Sequence, residues 1–316
     1  MNIGIPKGMY IYEYPILFEY FFKNLGCNVI YSDNTNKEIV EEGIRLSVDE
    51  ACLASKIFLG HVYNLVKRKE KEKIDYIFVP RVCSFKNRKN ICVKFFAMYD
   101  ICKNIFDDKI ISLNIDFADG ESEFKAFLKL GKKLGFSYPL VIKAYIKARN
   151  MQRMYDLKKV RAQYEKIAKN FNNKSNILIV SHPYISHDLY IGKPIISYLE
   201  KLGTNIIFAD ENSYKYGKTA SKNSYLNLSK TIYWKPSINL LNGIEEYSKF
   251  IDGIIYLTVF PCGPDSLVNE MLLRKINEIP SINLILDEEE LGAGVFTRLE
   301  SFYDILNSKK LKVSNE

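Results

Sequence analysis

Six cysteines in a chain of 316 residues are the side chains best suited to chemistry. One sits in Phe260-Pro261-Cys262-Gly263-Pro264-Asp265-Ser266-Leu267. The preceding stretch, Asp252 to Val259, is apolar and β-branched and predicts a buried strand. The following stretch, Ser266 to Arg274, predicts a helix. Cys262 therefore falls where an open α/β sheet delivers the carboxyl end of a strand. A helix N-terminus beside it favours a thiolate. Cys52, in Asp49-Glu50-Ala51-Cys52-Leu53-Ala54, lies at another expected helix start. Cys92 begins the helix after the third strand, and Cys83 ends that strand. Cys27 opens a strand and Cys102 lies within a helix among Ile101, Ile105 and Phe106, so both read as core residues. The set has no paired C-x-x-C knuckle and no close ferredoxin-type run. Spacing alone leaves two readings open, a metal site or buried free thiols.

The other motifs add little. His61, His182 and His187 suit packing or capping as well as ligation. Gly292-Ala293-Gly294 is an incomplete glycine pattern that shapes the approach to the last helix, Thr297 to Leu306. Neither a P-loop nor a G-x-S-x-G elbow is present.

These residues need elements to position them. Strands are expected at Asn2 to Pro6, Asn28 to Ser32, Asp75 to Pro80 and Lys109 to Ile115. Helices are expected at Pro15 to Leu25, Asn36 to Gly43, Val48 to Lys69 and Cys92 to Phe106, with a polar loop from Ser84 to Asn90. This alternation argues for a parallel sheet covered on both faces. The middle reads as a helix from Glu121 to Leu134 and a longer one from Pro139 to Phe171. The second half repeats the first. Asn24-Leu25-Gly26-Cys27-Asn28-Val29-Ile30-Tyr31-Ser32-Asp33 resembles Lys201-Leu202-Gly203-Thr204-Asn205-Ile206-Ile207-Phe208-Ala209-Asp210. The strand at Asp75 matches that at Asp252, and Lys109 matches Ile282 to Leu286. The expectation is two doubly wound, flavodoxin- or Rossmann-like α/β domains from an internal duplication, bridged by a long helix. The boundaries are 1–118, 119–172 and 173–316. Cys262 would lie on one wall of a cleft between the domains, facing the loops that carry Cys52 and Cys92.

Composition narrows the class. Hydrophobic content of 47% and charged content of 26% are those of a globular protein. No apolar run approaches the roughly 20 residues of a membrane span. The N-terminus enters a strand at once, without the regions of a signal peptide, so a cytoplasmic location is expected. Reduced cysteines are expected there, which favours metal binding or burial over disulfides. The net charge of +8 suits an acidic or phosphorylated partner but does not make a nucleic-acid surface. The basic face of the long helix lacks interleaved aromatic residues for base stacking.

Several blocks together resemble a known family. They include Ile3-Gly4-Ile5-Pro6-Lys7, Tyr12-Glu13-Tyr14-Pro15, Asp49-Glu50-Ala51-Cys52, Val79-Pro80-Arg81, Ile91-Cys92-Val93-Lys94-Phe95, His182-Pro183-Tyr184, Cys262-Gly263-Pro264-Asp265-Ser266-Leu267 and Thr297-Arg298-Leu299-Glu300-Ser301-Phe302. The chain resembles the 2-hydroxyglutaryl-CoA dehydratase component D-like proteins, also described as acyl-CoA dehydratase activase-related proteins. The likeness extends over nearly the whole chain.

This resemblance implies a [4Fe–4S] cluster, or a larger iron–sulfur assembly, held by Cys52, Cys92 and Cys262. Cys83 stands where relatives carry an apolar residue and is a spare candidate. Lys7 replaces a usual arginine and Glu289 a usual histidine. The implied activity is low-potential electron transfer, extending to reductive dehydration of a 2-hydroxyacyl-CoA or reduction of another small substrate. The implied partner is an ATP-hydrolysing iron–sulfur activator. Relatives pair two different subunits, so a second copy or a related subunit is the corresponding expectation here. Arg81, Arg298 and Glu300 either orient the cluster loops or form caps and salt bridges. The alternative is a non-catalytic two-domain protein that binds a small ligand or delivers clusters.

Overall fold

A computed structural model of the chain describes residues 1–85, 89–106, 109–170, 174–216, 231–288 and 292–313. Phe171 and Glu289 lie outside the described residues. The chain divides into two compact units, Met1–Asp156 and Leu157–Glu316. Among the described residues no helix is long and apolar enough to cross a membrane.

The first unit opens with β1 (Asn2–Ile5), a short α1 (Tyr10–Glu13), α2 (Pro15–Asn24) and β2 (Asn28–Tyr31). Next come α3 (Lys37–Arg45) and α4 (Leu53–Glu72). Asn36 caps α3 by accepting from the Ile39 N–H at 3.0 Å. The two helices approach through glycines. A Cβ on Gly43 would sit 2.0 Å from the Lys56 carbonyl oxygen, and one on Gly60 would sit 1.9 Å from that of Ile39. β3 (Tyr76–Phe78) then leads into β4 (Arg81–Phe85) and β5 (Lys89–Asn90).

This pair corrects the expected polar loop from Ser84 to Asn90. Alternating burial along β4 gives it one packed face, and β5 pairs with it antiparallel. α5 (Val93–Phe106) follows. The expected strand from Lys109 to Ile115 is split into β6 (Ile110–Ile111) and β7 (Asn114–Asp116). β6 joins the main sheet beside β3, whereas β7 pairs with β4. The unit is completed by α6 (Glu123–Lys133) and the start of α7 (Tyr138–Asn170). Val141, Ala144 and Ala148 of α7 are buried. Gln152 Oε1 accepts from the N–H groups of Ile16 and Leu17, 3.0 Å each, satisfying donors that the first turn of α2 leaves open.

The second unit holds the rest of α7. It continues with β8 (Asn176–Val180), α8 (Pro183–Ser186), α9 (Lys193–Lys201), β9 (Asn205–Phe208) and α10 (Lys235–Tyr247). β10 (Gly253–Val259), α11 (Gly263–Lys275), β11 (Ser281–Leu286) and α12 (Ala293–Val313) complete it. β8 and β10 are buried at every position, as expected of parallel strands covered on both faces.

Both main sheets are parallel and share one order: β2-β1-β3-β6 in the first unit and β9-β8-β10-β11 in the second. The duplication reaches single bonds. The Asn2 N–H donates to Asp75 Oδ2 at 2.7 Å, and the Asn176 N–H donates to Asp252 Oδ2 at 2.7 Å. Gly26 and Gly203 end their helices at φ 83° and 86°, the left-handed conformation that glycine adopts at least cost. In each sheet the strand order reverses beside the first strand, between β1 and β3 and between β8 and β10. Loops leaving the carboxyl ends there are where such folds bind ligands.

Candidate functional site

In the first unit Cys52 is the N-cap of α4. Its carbonyl accepts from the N–H groups of Ser55 and Lys56 at 2.8 and 3.1 Å, and its buried Sγ lies 3.1 Å from Ser55 Oγ. Cys92 holds the same place before α5, its carbonyl accepting from Phe95 and Phe96. Burial pushes the Cys92 thiol up. Backbone N–H groups of Lys94 and Phe95 favour its thiolate, while the nearby Cys52 disfavours it. Each of the two cysteines thus stands at a helix start, where N–H groups converge on negative charge.

Two lysines secure this corner. The Lys94 ammonium donates to the Glu50 carbonyl, joining the start of α5 to the loop before α4. The buried Lys56 donates to the Asp49 carbonyl at 3.0 Å. Tyr10 packs edge-on against Phe95, and among the described residues its buried hydroxyl has no hydrogen-bond partner. Burial, with the charges of Glu13, Tyr14, Cys92 and Cys83, holds this phenol protonated. Sequence reasoning missed Tyr10, because an isolated tyrosine in an aromatic-rich stretch carries no spacing signal.

The remaining cysteines of the unit differ. Cys83 lies on β4, and its thiol is pushed up to about 12 by burial and by the hydrogen bond and charge of Asp116. That environment opposes the thiolate a metal needs. Cys27 and Cys102 are buried core residues whose thiols burial also raises, as the sequence indicates. Arg81 pairs with Asp100 at 3.1 Å and lies over the Phe96 ring at 4.3 Å, so it braces α5.

In the second unit Cys262 is the N-cap of α11, directly after β10. Its N–H donates to the Val259 carbonyl at 2.9 Å, and its carbonyl accepts from the Ser266 N–H at 3.1 Å. The Cys262 thiol, His182 Nε2 at 2.9 Å and Thr258 Oγ1 at 3.3 Å all hydrogen-bond to the Asp265 carboxylate. Burial would raise that carboxyl, but these partners outweigh it and hold it below its ordinary value. The His182 ring stacks on Tyr184 at 5.2 Å. Loops after β8 and β10 thus gather a cysteine, a histidine and a carboxylate at the point where the strand order reverses. Asp265 was legible only as part of the Cys-Gly-Pro-Asp-Ser-Leu block, and Thr258 read as one more apolar-strand residue.

Residues 2–211 match the family described as CoA enzyme activase uncharacterised domain (DUF2229). The chain belongs to this family. Cys52 and Cys92 of this DUF2229 chain lie inside the matched span, and Cys262 lies beyond it. No curated protein matches the chain. Among solved structures, the SBP FpvC of Pseudomonas aeruginosa in complex with Mn2+ aligns over 99% of both chains, with 12% identity and a TM-score of 0.28. A Ni2+ complex of the same protein aligns over 99% of this chain and 97% of its own, with 11% identity and a TM-score of 0.27. Likenesses this remote carry no argument about the DUF2229 chain.

The other polar residues singled out in the DUF2229 chain have structural partners. Arg298 donates to the Asn283 carbonyl at 2.8 Å, joining α12 to β11, and Glu300 accepts from the Tyr198 hydroxyl. Lys7 donates to Asn34 Oδ1 at 2.6 Å. His61 is enclosed between Ser32 Oγ, 2.9 Å from Nδ1, and Thr35 Oγ1, 3.0 Å from Nε2.

Proposed function

We propose that this CoA enzyme activase-family chain is an iron–sulfur protein of the 2-hydroxyacyl-CoA dehydratase type. Cys52, Cys92 and Cys262 are its cluster ligands, and an ATP-hydrolysing iron–sulfur protein is its electron donor. The observation that carries this reading is the place of Cys52 and Cys92, each at a helix N-terminus, with the two helix starts joined by the hydrogen bond from Lys94 to Glu50. Thiolates select iron–sulfur clusters. The first-turn N–H groups of α4 and α5 suit the negative charge that such ligands carry.

The residues around the pair fit the same role. Lys56 and Lys94 bring positive charge to the loops holding Cys52 and Cys92. The Tyr10 hydroxyl, against Phe95 of α5, is a buried donor with no hydrogen-bond partner among the described residues. In the second unit, Asp265 and His182 hold the loop of Cys262 in place and supply a proton-bearing group beside it. A cluster held by Cys52, Cys92 and Cys262 would supply a low-potential electron.

The test is anaerobic purification of the full chain with reconstitution by iron and sulfide. The reading expects roughly four irons per chain and broad absorbance near about 400 nm from sulfur-to-iron charge transfer. Cys52→Ala, Cys92→Ala and Cys262→Ala should each lose most of the iron, and Cys27→Ala should keep it. Equal iron in all four variants would refute the ligand assignment.

A further inference from the structure

A second cluster of ligating side chains lies in the second unit, apart from any cysteine. Asp210 and Glu211 follow β9, and His187 follows α8. One ligand atom from each lies within 4.8 Å of the other two. His187 Nε2 is 3.6 Å from Glu211 Oε1. That is beyond hydrogen-bond length but close to the ~3.4 Å edge of a tetrahedron whose ligands stand about 2.1 Å from one ion. Asp210 is only 5% exposed. Among the described residues, its Oδ1 and His187 Nε2 are buried atoms with no hydrogen-bond partner. Leaving such atoms unpaired is unfavourable, and a cation would satisfy both.

The internal repeat supplies a control. The residue corresponding to Asp210 in the first half is Asp33. Asp33 is exposed and paired, with Arg68 at 3.1 Å and Asn64 at 2.9 Å. The fold therefore does not require an acid with an unpaired oxygen at this turn.

The surroundings hold the turn rigidly. The Glu211 carbonyl accepts from Tyr247 Oη at 2.6 Å and Gln163 Nε2 at 3.0 Å. Gly243 of α10 lies so close that a Cβ would meet the Ala209 carbonyl oxygen at 1.9 Å. The His187 ring rests on Phe208 at 4.7 Å. Supports of this kind hold first-sphere ligands in place. Lys159 Nζ, 2.5 Å from Glu211 Oε1, supplies the positive charge in this structure.

We propose that His187, Asp210 and Glu211 form a binding site for one divalent first-row transition ion, which competes with Lys159 for the Glu211 carboxylate. One imidazole and two carboxylates, without sulfur, suit Mn2+, Fe2+ or Zn2+. Three protein ligands leave room for water or a ligand atom at the carboxyl edge of the sheet.

The test titrates chelator-treated full-length protein with Mn2+, a hard ion that discriminates against thiolates. Free Mn2+ is read by electron paramagnetic resonance. One ion per chain is expected. Asp210→Asn, nearly isosteric, should weaken binding at least tenfold, as loss of a ligand does. Lys159→Met should tighten binding, the opposite of what a purely structural ion pair would give. A Cys52→Ala, Cys92→Ala, Cys262→Ala triple variant should bind Mn2+ as tightly as the parent. The site is overturned by unaltered affinity in Asp210→Asn, by weaker or equal affinity in Lys159→Met, or by loss of Mn2+ binding in the cysteine variant.

Discussion

His182 Nε2 lies 2.9 Å from Asp265 Oδ1, and both side chains are buried at the carboxyl end of the second sheet. The Asp265 carboxyl is held below its ordinary value although burial alone would raise it. Its contribution to stability is therefore present above the carboxylate range of the unfolded chain. It is lost as pH falls through the depressed folded value. Asp265→Asn should cost about 3 kcal/mol at pH 7, because it leaves buried partners unmatched. Urea unfolding across pH should show the gap from the parent narrowing below about pH 4. A gap independent of pH would mean that the charge of Asp265 is not what holds this corner.

His61 gives a second, separable pH dependence. Burial pushes its imidazole down to about 3, the charge of Lys7 adds to that shift, and Asp33 opposes it. The unfolded chain binds a proton near pH 6.5, so it carries more protons than the folded chain between these values. Stability should be whole above about pH 6.5 and fall as pH drops towards 3, with a limiting slope of about 1.4 kcal/mol per pH unit. His61→Gln can keep one hydroxyl contact but has no proton to gain. Its unfolding free energy should lack that slope. If the two slopes coincide between pH 6 and 4, His61 is already protonated in the folded chain.

Much of this architecture was legible in the sequence, for identifiable reasons. β8 and β10 are continuous apolar runs, as buried parallel strands must be. The repeated Leu-Gly and Asn of each half exposed the duplication. It reappears as matching left-handed glycines and matching bonds from Asn2 to Asp75 and from Asn176 to Asp252. Cys27 and Cys102 read correctly as core because their neighbours are apolar. The hairpin of β4 and β5 was not legible, since its polar residues alternate over too few positions to differ from a loop. The roles of Gln152 and Gln163 were hidden as well. A buried polar residue on α7 looks like any surface glutamine until the backbone it caps is known. His187 was open to ligation in the sequence, but its grouping with Asp210 and Glu211 was not legible, because their proximity depends on the pairing of β8 with β9, not on sequence spacing.

The approach of α3 to α4 bears on Cys52 through backbone alone. A Cβ on Gly60 would stand 1.9 Å from the Ile39 carbonyl oxygen, a contact that only helix displacement can relieve. Gly60→Ala should therefore destabilise the chain by about 1–3 kcal/mol, in spite of the better helix propensity of alanine. The displaced helix is the one whose N-cap is Cys52. Iron retention after reconstitution should fall together with the melting temperature. An unchanged melting temperature would show that the two helices separate without cost.

Tyr10 permits a test that distinguishes packing from cluster chemistry. Its hydroxyl is buried without a hydrogen-bond partner among the described residues, and nearby Cys92 and Cys83 help to keep it protonated. Tyr10→Phe removes an unmatched donor while retaining the edge-on contact with Phe95 at 5.3 Å. The metal-free variant should be as stable as the parent or more so, because the desolvation cost of that hydroxyl disappears. The iron-loaded variant should keep its iron but show a lower reduction potential, since hydrogen bonds to cluster sulfur stabilise the reduced state. The two readouts respond to different roles. Destabilisation of the metal-free chain by more than about 1 kcal/mol would mean that the hydroxyl already has a protein partner. An unchanged potential in the iron-loaded chain would mean that it donates to no ligand sulfur.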